Sequence, residues 1–106
     1  MTQIDNLNSI LKGWNYGGDP IPPNGNDFVS VNNNNITSIK LFNQNLDGDI
    51  KDLNKGGFTD LTTLWLYDNQ NLRGDISTIP TQLTALGSLE LSSTQVSGDI
   101  STIPTE

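Results

Sequence analysis

The 106-residue sequence contains no cysteine and no histidine. Without cysteine the chain can form no disulfide, no thiolate zinc site and no thiol nucleophile. Without histidine it lacks the commonest general base and the commonest metal ligand, and a Ser-His-Asp triad is excluded. The composition therefore argues against most enzyme classes. We expect a protein without catalytic residues, cofactor or bound metal.

Basic residues are also scarce, because 5 lysines and arginines stand against 12 acidic residues and the net charge is −7. Nucleic-acid binding and attachment to anionic membranes both need clusters of basic side chains. No apolar run approaches the ~18 residues of a transmembrane helix, and residues 1–5 lack the features of a secretory signal. We expect no nucleic-acid partner, no membrane insertion, and a cytoplasmic or virion-associated location.

Internal repetition is the main positive feature of the sequence, and such repeats usually indicate a stacked architecture. The segment Gly-Asp-Ile-Ser-Thr-Ile-Pro-Thr occurs at residues 74–81 and again, unchanged, at residues 98–105. A shorter copy starts at Gly48, and glycine at this fixed position of each copy would allow a tight bend without a Cβ. A single unit of this length cannot bury its own apolar side, so we expect successive units to share one core.

An apolar-x-apolar core precedes each of these copies, at residues 39–41, 64–66 and 89–91. The cores begin 25 residues apart in both intervals, from 39 to 64 and from 64 to 89. Such alternation indicates a strand whose outer residues point inward and whose middle residue points outward. We therefore expect three parallel strands, adjacent and in chain order, at residues 38–41, 63–66 and 88–91.

The middle repeat gives the clearest form of the whole pattern, Leu61-x-x-Leu64-x-Leu66-x-x-Asn69 followed by Leu72-x-Gly74-x-Ile76. This pattern resembles the plant-type class of the leucine-rich repeat family, and is similar to repeat arrays of gut bacteria and their phages. The resemblance implies an α/β repeat solenoid with a parallel concave sheet, short second strands and irregular or 3₁₀ convex segments. The family's asparagine, whose side chain bonds the backbone of its turn, is kept only as Asn69, since Gln44 and Thr94 replace it elsewhere.

Residues 1–35 do not repeat, and they resemble the N-terminal cap of the same family: a helix, a loop and a short strand. The helix is indicated by an apolar stripe and by Gly13 as a stop signal. The stripe consists of Ile4, Leu7, Ile10 and Leu11. That family's cap normally carries paired cysteines, which this chain lacks. We therefore expect Trp14 to be buried against Phe28 and the first helix.

Residues 36–106 would then form about three repeats without a C-terminal cap. An uncapped end exposes apolar core and unpaired strand edges, which are association hazards. We expect either that the natural protein is longer, which we favour, or that this end is covered by self-association or assembly into something larger.

The outward positions of the three strands would line the concave face. Stacking places equivalent positions side by side, ~4.8 Å apart, in the rows Lys40-Trp65-Glu90 and Phe42-Tyr67-Ser92. Exposed Trp and Tyr are frequent at binding hot spots, although a lysine over a tryptophan is equally an ordinary cross-strand contact. We predict a partner-binding site that consists of Lys40, Phe42, Trp65, Tyr67, Asp68 and Glu90.

A second predicted row consists of Asp49, Asp75 and Asp99, each next to a repeat glycine. Stacked carboxylates could bind a cation, or they could point into solvent and bond turn amides. We expect no tightly bound calcium there.

Two functions of different kinds fit these features. The first is a non-enzymatic binding module that recognises a protein or glycan partner on its concave face. The alternative is a structural or assembly domain of a virion or cell-surface complex, with contacts made through the open C-terminal end. Only the first requires Trp65 and Tyr67, so variants at these residues separate the two.

Overall fold

A computed structural model describes residues 2–75 and 85–97 of the chain. In chain order its elements are helix α1 (Gln3–Gly13), strands β1 (Val29–Asn32), β2 (Asn35–Lys40) and β3 (Asp47–Asp49), a 3₁₀ helix (Ile50–Lys55), and strands β4 (Thr63–Trp65), β5 (Asn71–Asp75), β6 (Ser88–Glu90) and β7 (Gln95–Ser97). One sheet has the strand order β1-β2-β4-β6 and the other has β3-β5-β7. Neither helix in the described ranges has the length and apolar character needed to cross a bilayer.

The three strands predicted from the repeat are adjacent, parallel and in chain order. Strand β2 pairs with β4, and β4 pairs with β6. Ile39 lies opposite Leu64, which lies opposite Leu89, so the 25-residue spacing of the sequence is the register of the sheet. This prediction is confirmed.

The predicted fold class, an α/β repeat solenoid with a concave parallel sheet, is wrong. The molecule is a small compact globule with extents of 33 × 28 × 21 Å. Its four-stranded sheet is mixed, because β1 pairs antiparallel with β2, and the sheets are not curled. Curvature in repeat arrays accumulates from a small rotation at each repeat, and the three parallel strands β2, β4 and β6 are too few to accumulate it.

Helix α1 begins and ends where local chemistry favours it. The Thr2 side chain accepts a hydrogen bond from the Asp5 backbone N–H, and the Asp5 carboxylate accepts one from the Thr2 N–H. This reciprocal capping box satisfies two donors that the first turn leaves free. The helix ends at Gly13, as predicted. Its apolar stripe is buried, and consists of Ile4, Leu7, Ile10 and Leu11.

Trp14 follows α1 directly and is 1% exposed, so its predicted burial is confirmed. Its indole Nε1–H donates to Asp52 Oδ2 at 2.9 Å. The ring lies against Gly48, where an added Cβ would collide with it. The predicted packing partner was wrong, since Phe28 is 36% exposed. Val29 points into the core, and neighbouring residues of extended backbone point to opposite sides, so Phe28 points away.

A single hydrophobic cluster joins the predicted cap to the predicted repeats. It includes Leu7 of α1, Ile36 of β2 and Leu64 of β4. The inward residues of the third repeat, Leu89 and Leu91, are only half-buried but pack against the same cluster. The predicted open C-terminal end falls on residues 98–106, outside the described ranges.

Candidate functional site

The predicted site residues lie together on the outer face of the four-stranded sheet, or in the turns that follow its strands. We call this set the aromatic patch; it consists of Lys40, Phe42, Trp65, Tyr67, Asp68 and Glu90. The sheet register places Lys40 opposite Trp65 and Trp65 opposite Glu90, which is the first predicted row. A backbone hydrogen bond of 3.0 Å, from the Asp68 N–H to the Ser92 carbonyl, joins the turns after β4 and β6, which carry Tyr67 and Ser92 of the predicted row Phe42-Tyr67-Ser92.

The aromatic side chains of the patch are partly exposed and form ordered contacts. The rings of Phe42 and Tyr67 are stacked, with centroids 4.6 Å apart and an interplanar angle of 3°. The Lys40 ammonium lies over the Trp65 ring, 4.6 Å from its centroid. Phe42, Trp65 and Tyr67 each keep part of their surface in solvent, as predicted. The outer face of the sheet and the turns that follow its strands therefore bring three rigid aromatic side chains together at the surface.

Trp65 is held in a fixed orientation by both of its neighbouring strands. Its indole Nε1–H donates to the hydroxyl of Ser88 on β6 at 2.9 Å, while Lys40 of β2 covers the ring. An open depression of about 290 Å³ lies beside it, lined by Trp65, Tyr67 and Glu90. The Trp65 ring is therefore already ordered before any partner arrives, which lowers the entropic cost of binding.

The turns that carry the patch share one unusual backbone conformation. Asn43, Asp68 and Ser93 occupy equivalent positions 25 residues apart, and their φ angles are +54°, +61° and +56°. Asparagine and aspartate tolerate this left-handed region better than most residues do. The repeat therefore extends to the turns, which project Tyr67 and Phe42 from the same relative position.

Asn69 is fully buried and stabilises the turn that follows β4 from the core side. Its amide Nδ2 donates to the carbonyl oxygens of Leu41 and Leu66, at 3.0 and 2.8 Å. Its Oδ1 accepts from the backbone N–H groups of Gln44 and Leu46, at 2.9 and 3.1 Å. One side chain thus satisfies the backbone of two successive turns, the one after β2 and its own. The sequence prediction that Asn69 bonds the turn backbone is confirmed.

Thr94 takes over part of this task in the third repeat, where the asparagine is missing. Its hydroxyl donates to the Leu91 carbonyl at 2.6 Å and accepts from the Val96 N–H at 3.3 Å. A hydroxyl has one donor and no amide plane, so it cannot satisfy two turns as Asn69 does.

The two acidic residues of the patch, Asp68 and Glu90, are exposed. Within residues 2–75 and 85–97, neither forms an ion pair with a lysine or arginine. Lys40 is the basic residue of the patch, and its ammonium already lies on Trp65. The open side of the patch therefore has a negative character.

The predicted row of repeat aspartates is wrong for the residues that the structure describes. Asp49 lies opposite Arg73 in the second sheet, and Gly48 lies opposite Leu72. The repeat glycines at 48 and 74 are 26 residues apart, but the register from 48 to 72 is 24, so Asp75 is displaced by two positions from Asp49. Asp49 instead accepts the Lys51 N–H at 2.9 Å and caps the 3₁₀ helix.

The third member of that row, Asp99, lies outside the described residues. Among residues 2–75 and 85–97 there is no group of three or more acidic side chains placed to hold a metal ion.

Two residues that position the tryptophan side chains were not identified from the sequence. Ser88, which anchors Trp65, occupies an outward strand position where the repeat shows only polarity. Gly48 was interpreted as a site for a tight bend, but its missing Cβ makes room for the Trp14 ring. The bend interpretation fits Gly74, whose φ of +124° disfavours residues with a side chain.

Comparison with known proteins finds no matching family model, no similar curated protein and no similar solved structure.

Proposed function

We propose that this chain is a non-enzymatic binding module that recognises a protein or glycan partner through the aromatic patch. One observation carries the proposal: Phe42, Trp65 and Tyr67 are partly exposed together on one side of the molecule. Their rings are ordered, because Phe42 stacks on Tyr67 and the Lys40 ammonium covers Trp65. Clustered exposed apolar groups usually mark an interaction surface.

The physical character of these side chains supports a role as binding anchors. Trp and Tyr offer a large contact area with few rotatable bonds, so they lose little conformational entropy when a partner covers them. Stacking of Phe42 on Tyr67, and the Ser88 bond to Trp65, reduce that loss further. The exposed carboxylates of Asp68 and Glu90 would form a polar rim that sets orientation more than affinity.

The composition supports a binding function over catalysis. The chain has no histidine or cysteine, so proton transfer and covalent catalysis at neutral pH would depend on less suited groups. The likeness of the repeat to leucine-rich repeats is also a proposal. It rests on the sequence motif, and the repeated left-handed turns at Asn43, Asp68 and Ser93 support it.

The test is capture of partners from the natural source by the wild-type chain and by the Trp65→Ala/Tyr67→Ala variant. We expect the Trp65→Ala change alone to weaken binding by about 2 kcal/mol or more. Tyr16→Ala is the matched control, because it removes another half-buried aromatic from beside α1, away from the patch. Equal capture by wild type and the double variant would contradict the proposal and favour an assembly function through another surface.

A further inference from the structure

The depression beside Trp65 has an aromatic wall and an acidic wall. It is lined by Trp65, Tyr67 and Glu90, and Lys40 is not among its lining residues. The strand order β2-β4-β6 places Lys40 on one side of Trp65 and Glu90 on the other. The depression therefore lies on the side of the indole that faces Glu90.

The contact between Lys40 and Trp65 shows that the indole ring can bind a cation. The Lys40 ammonium lies 4.6 Å from the ring centroid, well within the ~6 Å at which a cation is attracted to an aromatic face. The Glu90 side of the ring has no such cation, since no lysine or arginine among the described residues pairs with Glu90. That side adds a full negative charge to the ring's own attraction for cations.

We propose that this depression receives an arginine or lysine side chain from a basic segment of a protein partner, held between the Trp65 ring and the Glu90 carboxylate. This inference rests on the proposed function and narrows its partner to a cationic protein. Arginine fits better than lysine, because a planar guanidinium stacks on an aromatic face and still donates hydrogen bonds to a carboxylate.

The charge of the whole chain favours the same partner. A net charge of −7 attracts basic segments at a distance and repels acidic ones. Asp68, exposed in the turn after β4, extends the negative surface beyond Glu90. A neutral oligosaccharide would gain nothing from this charge, so the observations favour a basic protein over a glycan.

The test follows the two indole N–H signals of the chain by NMR, which distinguish the patch from the core. Trp14 is buried and bonded to Asp52, so its signal is an internal control for Trp65. A blocked Gly-Arg-Gly-Arg-Gly peptide is the probe. The same peptide with glutamate for arginine, and cellohexaose, are the comparison ligands. We expect the arginine peptide to shift the Trp65 signal, to leave Trp14 unchanged, and to bind more weakly as salt is added.

Two charge variants test whether Glu90 itself attracts the arginine peptide. Glu90→Gln should weaken binding of the arginine peptide about threefold, the effect of removing one exposed ion pair. Asp19→Asn removes the same charge from the loop between α1 and β1, outside the patch, and should weaken binding much less. Equal weakening by the two variants would overturn the inference, because attraction would then come from net charge alone.

The remaining outcomes separate this inference from the proposed function. A Trp65 shift with cellohexaose but not with the arginine peptide would overturn the cationic partner and leave the patch as a binding site. No Trp65 shift with any of the three ligands would also overturn the cationic partner. The proposed function would then be decided by partner capture with the Trp65→Ala/Tyr67→Ala variant.

Discussion

Trp14 and Trp65 have the same side chain but lie in very different surroundings. Trp14 is 1% exposed, lies against Gly48 and gives its N–H to Asp52, 38 residues away. Trp65 is partly exposed, gives its N–H to a neighbouring strand and carries a lysine on its ring. Both indoles satisfy their polar atom, but only the first fills the core. Orientation without burial is the condition that a binding anchor needs.

The comparison predicts the largest loss of folding stability when Trp14 is removed. Trp14→Ala should lower the free energy of unfolding by about 3–5 kcal/mol, because it leaves a large cavity among α1, Gly48 and the 3₁₀ helix. Urea denaturation followed by circular dichroism measures the change. A loss under about 1 kcal/mol would show that this part of the core is held by other contacts.

Asn69 tests whether the patch depends on the buried network beneath it. Asn69→Ala should cost about 3 kcal/mol, because buried carbonyl and N–H groups of two turns lose their partner. The control is Gln70→Ala, which changes an exposed neighbouring side chain. The same denaturation measurement applies, and equal stability of both variants would refute the role given to Asn69.

Gly48 tests the interpretation that close packing, and not a bend, explains this glycine. Gly48→Ala should cost about 2 kcal/mol, since its methyl group would push into the Trp14 ring. Gly17→Ala is the matched control, because an added Cβ there meets no atom within 4 Å. Indistinguishable melting curves for the two variants would show that Trp14 is less tightly packed than its burial indicates.

Some features of this molecule could be predicted from the sequence because they depend on local spacing, whereas others depend on distant contacts and could not. The 25-residue period predicted the strand register and the patch rows, because side-chain alternation follows directly from spacing. The buried face of α1 was equally evident from its apolar stripe. These features depend on local periodicity alone.

Features that depend on distant contacts were not predictable. The partners of Trp14 are Gly48 and Asp52, and no local pattern near Trp14 indicates them. The solenoid prediction failed because periodicity tells which side chains point inward but gives neither the antiparallel pairing of β1 nor the absence of curvature. The predicted aspartate row failed because the second sheet does not keep the spacing of the glycines.

The smallest expected effect on folding is at Trp65, and it provides the most direct test of the account. Trp65→Ala removes the Ser88 hydrogen bond and the Lys40 contact at a partly exposed site, so it should lower the free energy of unfolding by only about 1 kcal/mol. Measured on the same preparation, partner binding should weaken at least about thirtyfold, equivalent to the loss of about 2 kcal/mol or more of binding energy. Unchanged capture, or a stability loss as large as that of Trp14→Ala, would contradict the claim that this tryptophan serves binding and not the core.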